Sequence, residues 1–519
     1  MQFLPAKYEE VFRRSIILIA LYVMVVSLSM KPHIVADPDI WWHLRSGQWI
    51  LDHGWVPATD PFSIQGQGKP WVAYSWLFEL LALGLYRLFG LVGIVAYTIA
   101  LSLGITTALY SLVRKFEPRV ANAIGITGIG ILAMTPIFMP RPWLFTILFF
   151  IIELDILLTA RRSGNYRRLL LLPPLFALWA NIHIQFIYGF LPLGLIAAEP
   201  LIERLFQRPF SFENLRAGFN ARLWLIVAAC VIATLANPYH VKLYAPVIEI
   251  TNQTGVYNYV LELAAPDFRS ITHWSMLALT IWAAVALGRQ VEVKLFLVVL
   301  FIAGAFVSFR SGRDVWFVVT AAIAIIASSR PSLEIKDSFA LTKMQTLIVA
   351  AAIGIFILLV AQSRNISEGA LQNAVAREYP VAAAKVIDER GYSGPLYNHF
   401  DWGGYLIWRL PRLLVSIDGR TNIYGDERIK HSIETWSGAR HWAKDTELAA
   451  SRLVIAGAGA PLCSLLRLDQ RFELVYEDQV ASVFIARSQT PVTGAEIRKS
   501  SDAITRSTSI SQSLSGVER

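Results

Sequence analysis

Long apolar segments alternate with short polar ones over most of the chain, and this pattern ends only near residue 365. Runs of roughly 17–25 apolar residues are long enough to cross a bilayer as helices. We place eleven, near 14–31, 81–113, 120–139, 142–160, 169–184, 186–205, 222–239, 273–288, 294–309, 313–329 and 344–362. The second is too long for one crossing, so residues 80–89 are predicted to lie along the membrane interface first. The pattern predicts an α-helical polytopic membrane protein.

After the last apolar segment, short strands alternate with helices between residues 375 and 487. YPVAAAKVIDERG at 379–391 predicts a helix. Five segments predict strands: PLYNHF at 395–400, LLVSIDGR at 413–420, RLVIAG at 452–457, RFELVYED at 471–478 and SVFIAR at 482–487. We divide the chain into a transmembrane domain at 1–365, with a large first external loop at 31–80, and a small extracytoplasmic α/β domain at 366–487. The Ser- and Thr-rich residues 488–519 predict a disordered tail.

Composition and charge agree with a membrane protein and suggest its orientation. Of the residues, 55% are hydrophobic and 16% charged, and the mean hydropathy of +0.48 excludes an ordinary soluble protein. With a cytoplasmic N-terminus, the inner segments carry 19 Lys and Arg and the outer loops carry 8, as the positive-inside rule requires. The first loop and the C-terminal domain are therefore expected outside. The basic residues form no patch, so no nucleic-acid partner is predicted.

The first external loop is the richest in candidate chemistry. Residues 37–79 hold six of the 16 Trp, together with ionisable residues that include Asp37, Asp39, His43, Arg45, Asp52, His53, Asp60 and Glu79. Residues 39–52 predict a short helix at the membrane face, which Gly54 and Pro57 end. Carboxylates and imidazoles are suited to acid–base work, so we interpret this as the active-site loop.

Asp37-Pro38-Asp39 is the sharpest motif in that loop. A residue before proline avoids the helical conformation, so the two carboxylates start from an extended backbone. One of them could serve as a general base, or the two could share a divalent cation. The alternative is that Asp39 only caps the helix that begins at Ile40.

Among the arginines expected outside, against the charge bias, four are candidates for ligand binding: Arg45, Arg141, Arg310 and Arg313. The planar guanidinium is suited to clamp phosphate, although each side chain could instead anchor in lipid headgroups. In WANIHIQFIYG, Asn181, His183 and Gln185 are spaced by two, which predicts a broken crossover lining a cavity. The alternative is ordinary hydrogen bonding between helices. His43 and His53 could bind a metal with the carboxylates, but no HxxxH or CxxC spacing supports it, so the metal is left unknown. Asp418 and Arg420 are predicted to form a structural pair.

Three segments resemble a group of bacterial multi-spanning proteins with the layout of GT-C membrane glycosyltransferases. They are DPDIWWHLRSGQWILDHGWVPATDPFS, WANIHIQFIYG and WGGYLIWRLP…IDGR. The resemblance implies a GT-C-like fold in the bacterial inner membrane. It implies transfer of a sugar from a polyprenyl-phosphate carrier to an external glycan or protein acceptor. The matching base or metal ligands are Asp39 and Asp37. We take as substrate-binding candidates His43, Arg45, His53, Arg141, Asn181, His183, Arg310 and Arg313.

Two other functional classes stay open from the sequence. One is a polysaccharide polymerase, ligase or flippase that uses the same cavity without this base. The other is a non-catalytic scaffold in envelope assembly, with the outer domain as its docking surface. A transporter would show ionisable residues at mid-span in paired repeats, whereas the polar groups here cluster at the outer ends of the segments.

Overall fold

The computed structural model describes residues 6–205, 216, 218–292, 294–329 and 342–487. The predicted tail at 488–519 lies outside the described residues. The chain forms two compact units, and the division differs from the predicted one at residue 365. The first unit comprises Met1–Ala58 and Val72–Ala374, and the second comprises Thr59–Trp71 and Val375–Arg519. Part of the first loop therefore belongs to the second unit.

The first unit is helical throughout its described parts. Its helices are α1 (Ala6–Ser29), α2 (Pro38–His53), α3 (Trp76–Arg114), α4 (Val120–Met134), α5 (Trp143–Ser163), α6 (Leu172–Ile182), α7 (Phe190–Leu205), α8 (Ala221–Thr234), α9 (Ala245–Asn252), α10 (Ile271–Gly288), α11 (Leu295–Arg310), α12 (Val315–Ser328) and α13 (Lys343–Ser363), and α14 (Glu368–Glu378) contains the boundary to the second unit. α12 is apolar on all sides and almost completely buried, as a central helix of a bundle should be. It packs against α4, α10 and α11.

Seven helical segments in the described part of the chain are long and apolar enough to cross a membrane. They fall on seven of the eleven predicted segments: Val11–Ser29, Trp76–Arg114, Val120–Ile137, Trp143–Ser163, Ile184–Leu205, Ile271–Gly288 and Lys343–Ser363. Each of the other four predicted segments holds a shorter helix, namely α6, α8, α11 and α12. A mostly helical multi-pass membrane protein is therefore supported, and the number of eleven spans stays a prediction.

A kink divides α3. Gly90 has a φ of 63°, a left-handed conformation inside an otherwise right-handed helix. The Glu368 carboxylate accepts a hydrogen bond from Leu91 N at 2.8 Å, and Val92 N lies 3.4 Å from the same oxygen. A negative charge is stabilising at a helix N-terminus, so Glu368 caps the second half of α3. The kink lies at the end of the stretch 80–89 that the sequence separates from the crossing.

The second unit is built on a four-stranded sheet. Its strands are β1 (Leu396–Asn398), β2 (Leu453–Gly457), β3 (Phe472–Glu477) and β4 (Ala481–Ala486), in the order β1-β2-β4-β3. β1 and β2 are parallel, and the other pairs are antiparallel. Its further helices are α15 (Val381–Glu389), α16 (Gly403–Arg409), α17 (Thr421–Tyr424), α18 (Asp426–Trp436), α19 (Thr446–Ala450) and α20 (Pro461–Leu468). The helix at 379–391 and four of the five strands are confirmed.

The predicted strand LLVSIDGR at 413–420 is wrong. Only Val415 pairs there, in isolated bridges to Ser63 and Leu396. The side chain of Asn398 uses the next backbone groups, because its Oδ1 accepts from Ser416 N at 2.9 Å and its Nδ2 donates to Ile417 O at 2.8 Å. A side-chain amide therefore replaces the ladder that would extend the strand.

A buried charge cluster holds residues 59–71 in the second unit. Arg420 pairs with Asp418 at 2.7 Å and with Asp60 at 2.6 Å, and all three side chains are almost completely buried. Its guanidinium also lies over the ring of Trp71, 4.7 Å from the centroid. The predicted pair of Asp418 and Arg420 is confirmed, and its third member is a carboxylate from the first loop.

Candidate active site

Asp37 and Asp39 meet on one arginine. Asp37 Oδ2 lies 2.6 Å from Arg141 Nε, and Asp39 pairs with Nη1 of the same guanidinium. Asp37 is the residue that caps α2, since its Oδ1 accepts from Asp39 N at 2.9 Å with Pro38 in the first helical position. The alternative that Asp39 caps a helix beginning at Ile40 is therefore wrong, because the helix begins two residues earlier, at Pro38. The predicted helix itself, and its end at the left-handed Gly54, are confirmed.

The two carboxylates differ in access. The Asp37 side chain is 0% exposed and the Asp39 side chain 15% exposed. Burial raises the pKa of Asp37, and the charge of Arg141 partly opposes that rise. Asp39 is therefore the carboxylate that a ligand reaches more readily, while Asp37 holds both the helix start and the arginine.

Arg141 comes from the turn between α4 and α5, where Pro140 and Pro142 flank it. Its side chain is 7% exposed, and its backbone carbonyl accepts a hydrogen bond from Tyr97 Oη at 2.8 Å. The guanidinium also reaches a third carboxylate, Glu262 Oε2, at 3.4 Å. Arg141, predicted to bind phosphate, therefore contacts three acidic side chains in this structure.

Glu262 connects this cluster to Arg313. Its other oxygen, Oε1, lies 3.8 Å from Arg313 Nη1. Glu262 stands in a short 3₁₀ turn at Leu261–Leu263. Gly312 N, next to Arg313, donates to Ala264 O at 2.8 Å and ties that turn to the segment between α11 and α12. Arg141 and Arg313, distant in sequence, therefore share one carboxylate.

The break after α6 supplies the neighbouring polar residues. α6 ends at Ile182, and His183 has an extended backbone (φ −155°, ψ 139°) before a 3₁₀ turn at Ile184–Gly189. The predicted break is confirmed, and the prediction that these residues line a cavity stays a prediction. Gln185 Nε2 donates to Asp314 Oδ1 at 2.7 Å.

The two other polar candidates at this break are used in hydrogen bonds between helices. His183 Nδ1 lies 2.8 Å from Thr146 Oγ1 of α5, and Trp76 Nε1 donates to Asn181 Oδ1 at 2.8 Å. These contacts match the alternative of ordinary interhelical hydrogen bonding. A role for His183 or Asn181 toward a ligand stays a prediction.

The remaining candidates lie apart from the Asp–Arg cluster. Arg310 stacks over Tyr257, 4.4 Å from the ring centroid. His43 is buried, with its Nδ1 3.4 Å from Glu79 Oε1, and His53 Nδ1 is 2.8 Å from Trp49 O at the exposed end of α2. Arg45 lies in the middle of α2.

A shared cation does not suit this arrangement of Asp37 and Asp39. Both carboxylates are engaged by the Arg141 guanidinium, whose positive charge stands where a cation would have to bind. Within the described ranges, no group of three or more His, Cys, Asp or Glu side chains is placed to hold a metal ion. Metal dependence stays an open prediction.

A cavity of about 350 Å³ borders the cluster. Its polar lining comprises Glu262, Arg313, Asp267 and His273. Its apolar lining includes Ile137, Met139 and Trp143. A pocket lined by both charged and apolar side chains is suited to a ligand with an anionic head and a hydrocarbon tail.

Sequence reasoning did not select Glu262, Asp314 or Thr146 as site residues. Asp314 adjoins a candidate arginine, and that spacing alone could have added it. Glu262 offered no comparable signal, because it is one of three acidic residues scattered along the external loop at 237–273.

No protein-family model matches this chain, and no curated protein matches it. Among solved structures, an oligosaccharyltransferase from Archaeoglobus fulgidus in the apo form is 11% identical with a TM-score of 0.48, covering 84% of this chain and 69% of that one. AglB from the same organism, with an inhibitory peptide and a dolichol-phosphate, is 11% identical with a TM-score of 0.49 and the same coverage. ArnT from Cupriavidus metallidurans bound to undecaprenyl phosphate is 13% identical with a TM-score of 0.46, covering 92% and 99%.

With TM-scores of 0.46–0.49, these likenesses do not assign the chain to a superfamily, and the resemblance to GT-C enzymes stays a prediction from the sequence. The likeness, at 11–13% identity, concerns the fold alone. It assigns no donor, acceptor or site residue.

Proposed function

We propose that this chain is a membrane glycosyltransferase that moves a sugar from a polyprenyl-phosphate donor to an acceptor outside the cytoplasm, either an envelope glycan or a protein. One observation carries the proposal. Asp37 and Asp39 are gathered on the nearly buried Arg141, which also contacts the cavity residue Glu262. The motifs that resemble GT-C enzymes support the same assignment.

In the proposed reaction the acceptor hydroxyl gives its proton to the Asp39 carboxylate. The hydroxyl oxygen then attacks the anomeric carbon, and the bond from that carbon to the phosphate oxygen breaks with inversion. The polyprenyl phosphate leaves with the bonding electrons. Asp39 is the preferred base because it is the more exposed of the two carboxylates. Arg313, which lines the cavity, stabilises the negative charge that grows on the leaving phosphate.

Substitution of Asp39 by Asn tests the proposal. The change removes proton acceptance and keeps the size of the side chain, and Asp37 rather than Asp39 caps α2. We expect normal expression and a loss of transfer of roughly 10²–10⁴-fold, which is typical for removal of a general base. Transfer is measured by mass spectrometry of polyprenyl-linked sugars and envelope glycans in cells that lack the gene and are complemented with each variant.

Asp52→Asn is the matched control. Asp52 lies near the exposed end of the same helix, where it accepts a hydrogen bond from Gln48 at 2.6 Å. The substitution makes the same chemical change as Asp39→Asn, but away from Arg141, so transfer should stay within twofold of wild type. Asp37→Asn and the double variant are measured beside it. Full transfer by both single variants and the double variant would remove the active-site assignment from this loop.

A further inference from the structure

We propose that the Glu262 carboxylate is a displaceable occupant of an anion site between Arg141 and Arg313, and that a phosphate group binds there only when Glu262 leaves. This inference rests on the proposed function for the identity of the ligand as a lipid phosphate. Its geometric basis is that each oxygen of Glu262 faces a different arginine, at 3.4 Å and 3.8 Å. Two guanidinium groups bridged by one small anion is the arrangement that a phosphate would also adopt.

Glu262 is held more loosely than the other acidic residues of the cluster. Charge-assisted hydrogen bonds are usually about 2.7–2.9 Å long, and Asp37 meets Arg141 at 2.6 Å. Both contacts of Glu262 are longer than that range. Its side chain is also 32% exposed, compared with 0% for Asp37. Displacement of Glu262 therefore breaks weak contacts and leaves Asp37 and Asp39 in place on Arg141.

The local charge explains why Glu262 must leave. Arg141 and Arg313 face four acidic side chains: Asp37, Asp39, Glu262 and the adjacent Asp314. A phosphate added to that set would meet an excess of negative charge. The cavity is lined by Glu262 and also by apolar side chains that include Ile137 and Trp143, so a phosphate head with a hydrocarbon tail has space there.

Binding of farnesyl phosphate and of inorganic phosphate to the purified full-length protein in detergent tests this inference. Glu262→Gln should tighten farnesyl phosphate binding by at least about tenfold, because a like charge placed against the ligand costs more than one tenfold step in affinity. Glu292→Gln is the control: it is the same chemical change at a side chain that is 83% exposed, pairs with Lys294 at 3.4 Å and does not line the cavity. It should change binding less than twofold. If Glu262→Gln binds both probes more tightly, the site recognises phosphate itself. If it binds only farnesyl phosphate more tightly, the site recognises a lipid phosphate.

Unchanged or weaker binding by Glu262→Gln, or an equal gain with Glu292→Gln, would overturn the inference. Glu262→Ala is measured as a second variant with the thermal midpoint of each protein, so that misfolding is not read as lost binding. Adding Arg313→Gln to Glu262→Gln should abolish the gain. If Glu262→Gln binds farnesyl phosphate more tightly but Asp39→Asn retains full transfer, only the proposed function is contradicted. If Asp39→Asn loses transfer but Glu262→Gln does not bind farnesyl phosphate more tightly, only this inference is contradicted.

Discussion

The planar guanidinium of Arg141 contacts three carboxyl groups from different parts of the chain. Asp37 and Asp39 come from the start of α2, and Glu262 comes from a loop more than a hundred residues later. The fork of an arginine can hold several oxygens in fixed directions, whereas a lysine ammonium is a single point of charge. The orientation of the proposed base therefore depends on this residue type and not only on its charge.

Arg141→Lys should consequently lower transfer by at least about tenfold while the protein still folds, because the charge stays and the fork is lost. The readout is the mass-spectrometric transfer measurement, with the thermal midpoint recorded for each variant. Arg87→Lys is the control, since Arg87 lies on α3 and donates to Gln48 at 2.6 Å on an exposed surface. Wild-type transfer by Arg141→Lys would mean that only a positive charge is needed there.

The candidate site could be predicted from the sequence only in part. The sequence was sufficient to select Asp37, Asp39 and Arg141. Two carboxylates around a proline, and an arginine between two prolines, are unusual beside apolar segments. The connection through Glu262 was not predictable, because it depends on where a long loop folds back. Arg310 and Arg313 looked equivalent in sequence, but one stacks on Tyr257 and the other faces Glu262.

At the scale of elements, the kink in α3 depends on one residue that lacks a Cβ. A Cβ at Gly90 would overlap the Glu368 carboxylate, and the φ of 63° is unfavourable for any other L-residue. The length of the apolar run at 81–113 showed that it is too long for one crossing. It could not locate the capping carboxylate, since Glu368 is 277 residues away from Leu91.

We expect Gly90→Ala to destabilise the protein by about 1–2 kcal/mol from the left-handed conformation alone, with a further loss from the overlap with Glu368. The measurement is the thermal or denaturant midpoint in detergent. Gly84→Ala, in the same helix with no atoms within 4 Å of the added carbon, is the control. It should be neutral or stabilising by up to about 1 kcal/mol, because alanine favours helix. Equal effects of the two changes would contradict the proposed basis of the kink.

Asp445 caps α19 and joins it to the sheet. Its Oδ1 accepts from Glu447 N and Leu448 N, and its Oδ2 accepts from Tyr397 Oη at 2.8 Å and Thr435 Oγ1 at 2.9 Å. Burial alone would raise the pKa of this carboxyl, but the hydrogen bonds together lower it below the ordinary value. A folded-state pKa below the unfolded one gives stability above the unfolded pKa, and this stability is lost as pH falls through the folded value.

The second unit should therefore lose stability below about pH 4, near the ordinary pKa of Asp. Asp445→Asn should weaken it by roughly 1–2 kcal/mol at neutral pH, because two acceptor bonds are lost, and should flatten the acid dependence. Cys463, fully buried in the core of this unit, reports its opening. Labelling by a disulfide reagent that reacts at acid pH, located by mass spectrometry, gives the measurement. An unchanged acid dependence in the variant would assign it to other carboxyls.

At the scale of the whole molecule, local signals were sufficient for most elements and failed for long-range ones. Helix α2, its end at Gly54, the break at His183 and the strand β4 follow from nearby glycines, prolines and periodicity. The failed strand at 413–420 and the allocation of residues 59–71 to the second unit depend on contacts between distant segments. Such contacts leave no periodic trace in either segment.

The topology gives a prediction for the complete chain. With 19 Lys and Arg in the inner segments and 8 in the outer loops, the N-terminus is expected inside. A reporter that is active only outside should work when fused after residue 60 or residue 400, and fail after residue 165. Activity after residue 165 would mean that the orientation is inverted.

The pairing of Asp60 with Arg420 also has a consequence in time, since the two residues are 360 positions apart. A ribosome that adds about 5–20 residues per second needs roughly 20 to 70 seconds to travel between them. During that interval residues 59–71 have been made but their partners have not, and Phe62 and Trp71, buried in the finished protein, remain uncovered. Any nascent chain that stops before residue 420 keeps them uncovered, so we expect stalled or truncated products to be the forms that chaperones and proteases recognise.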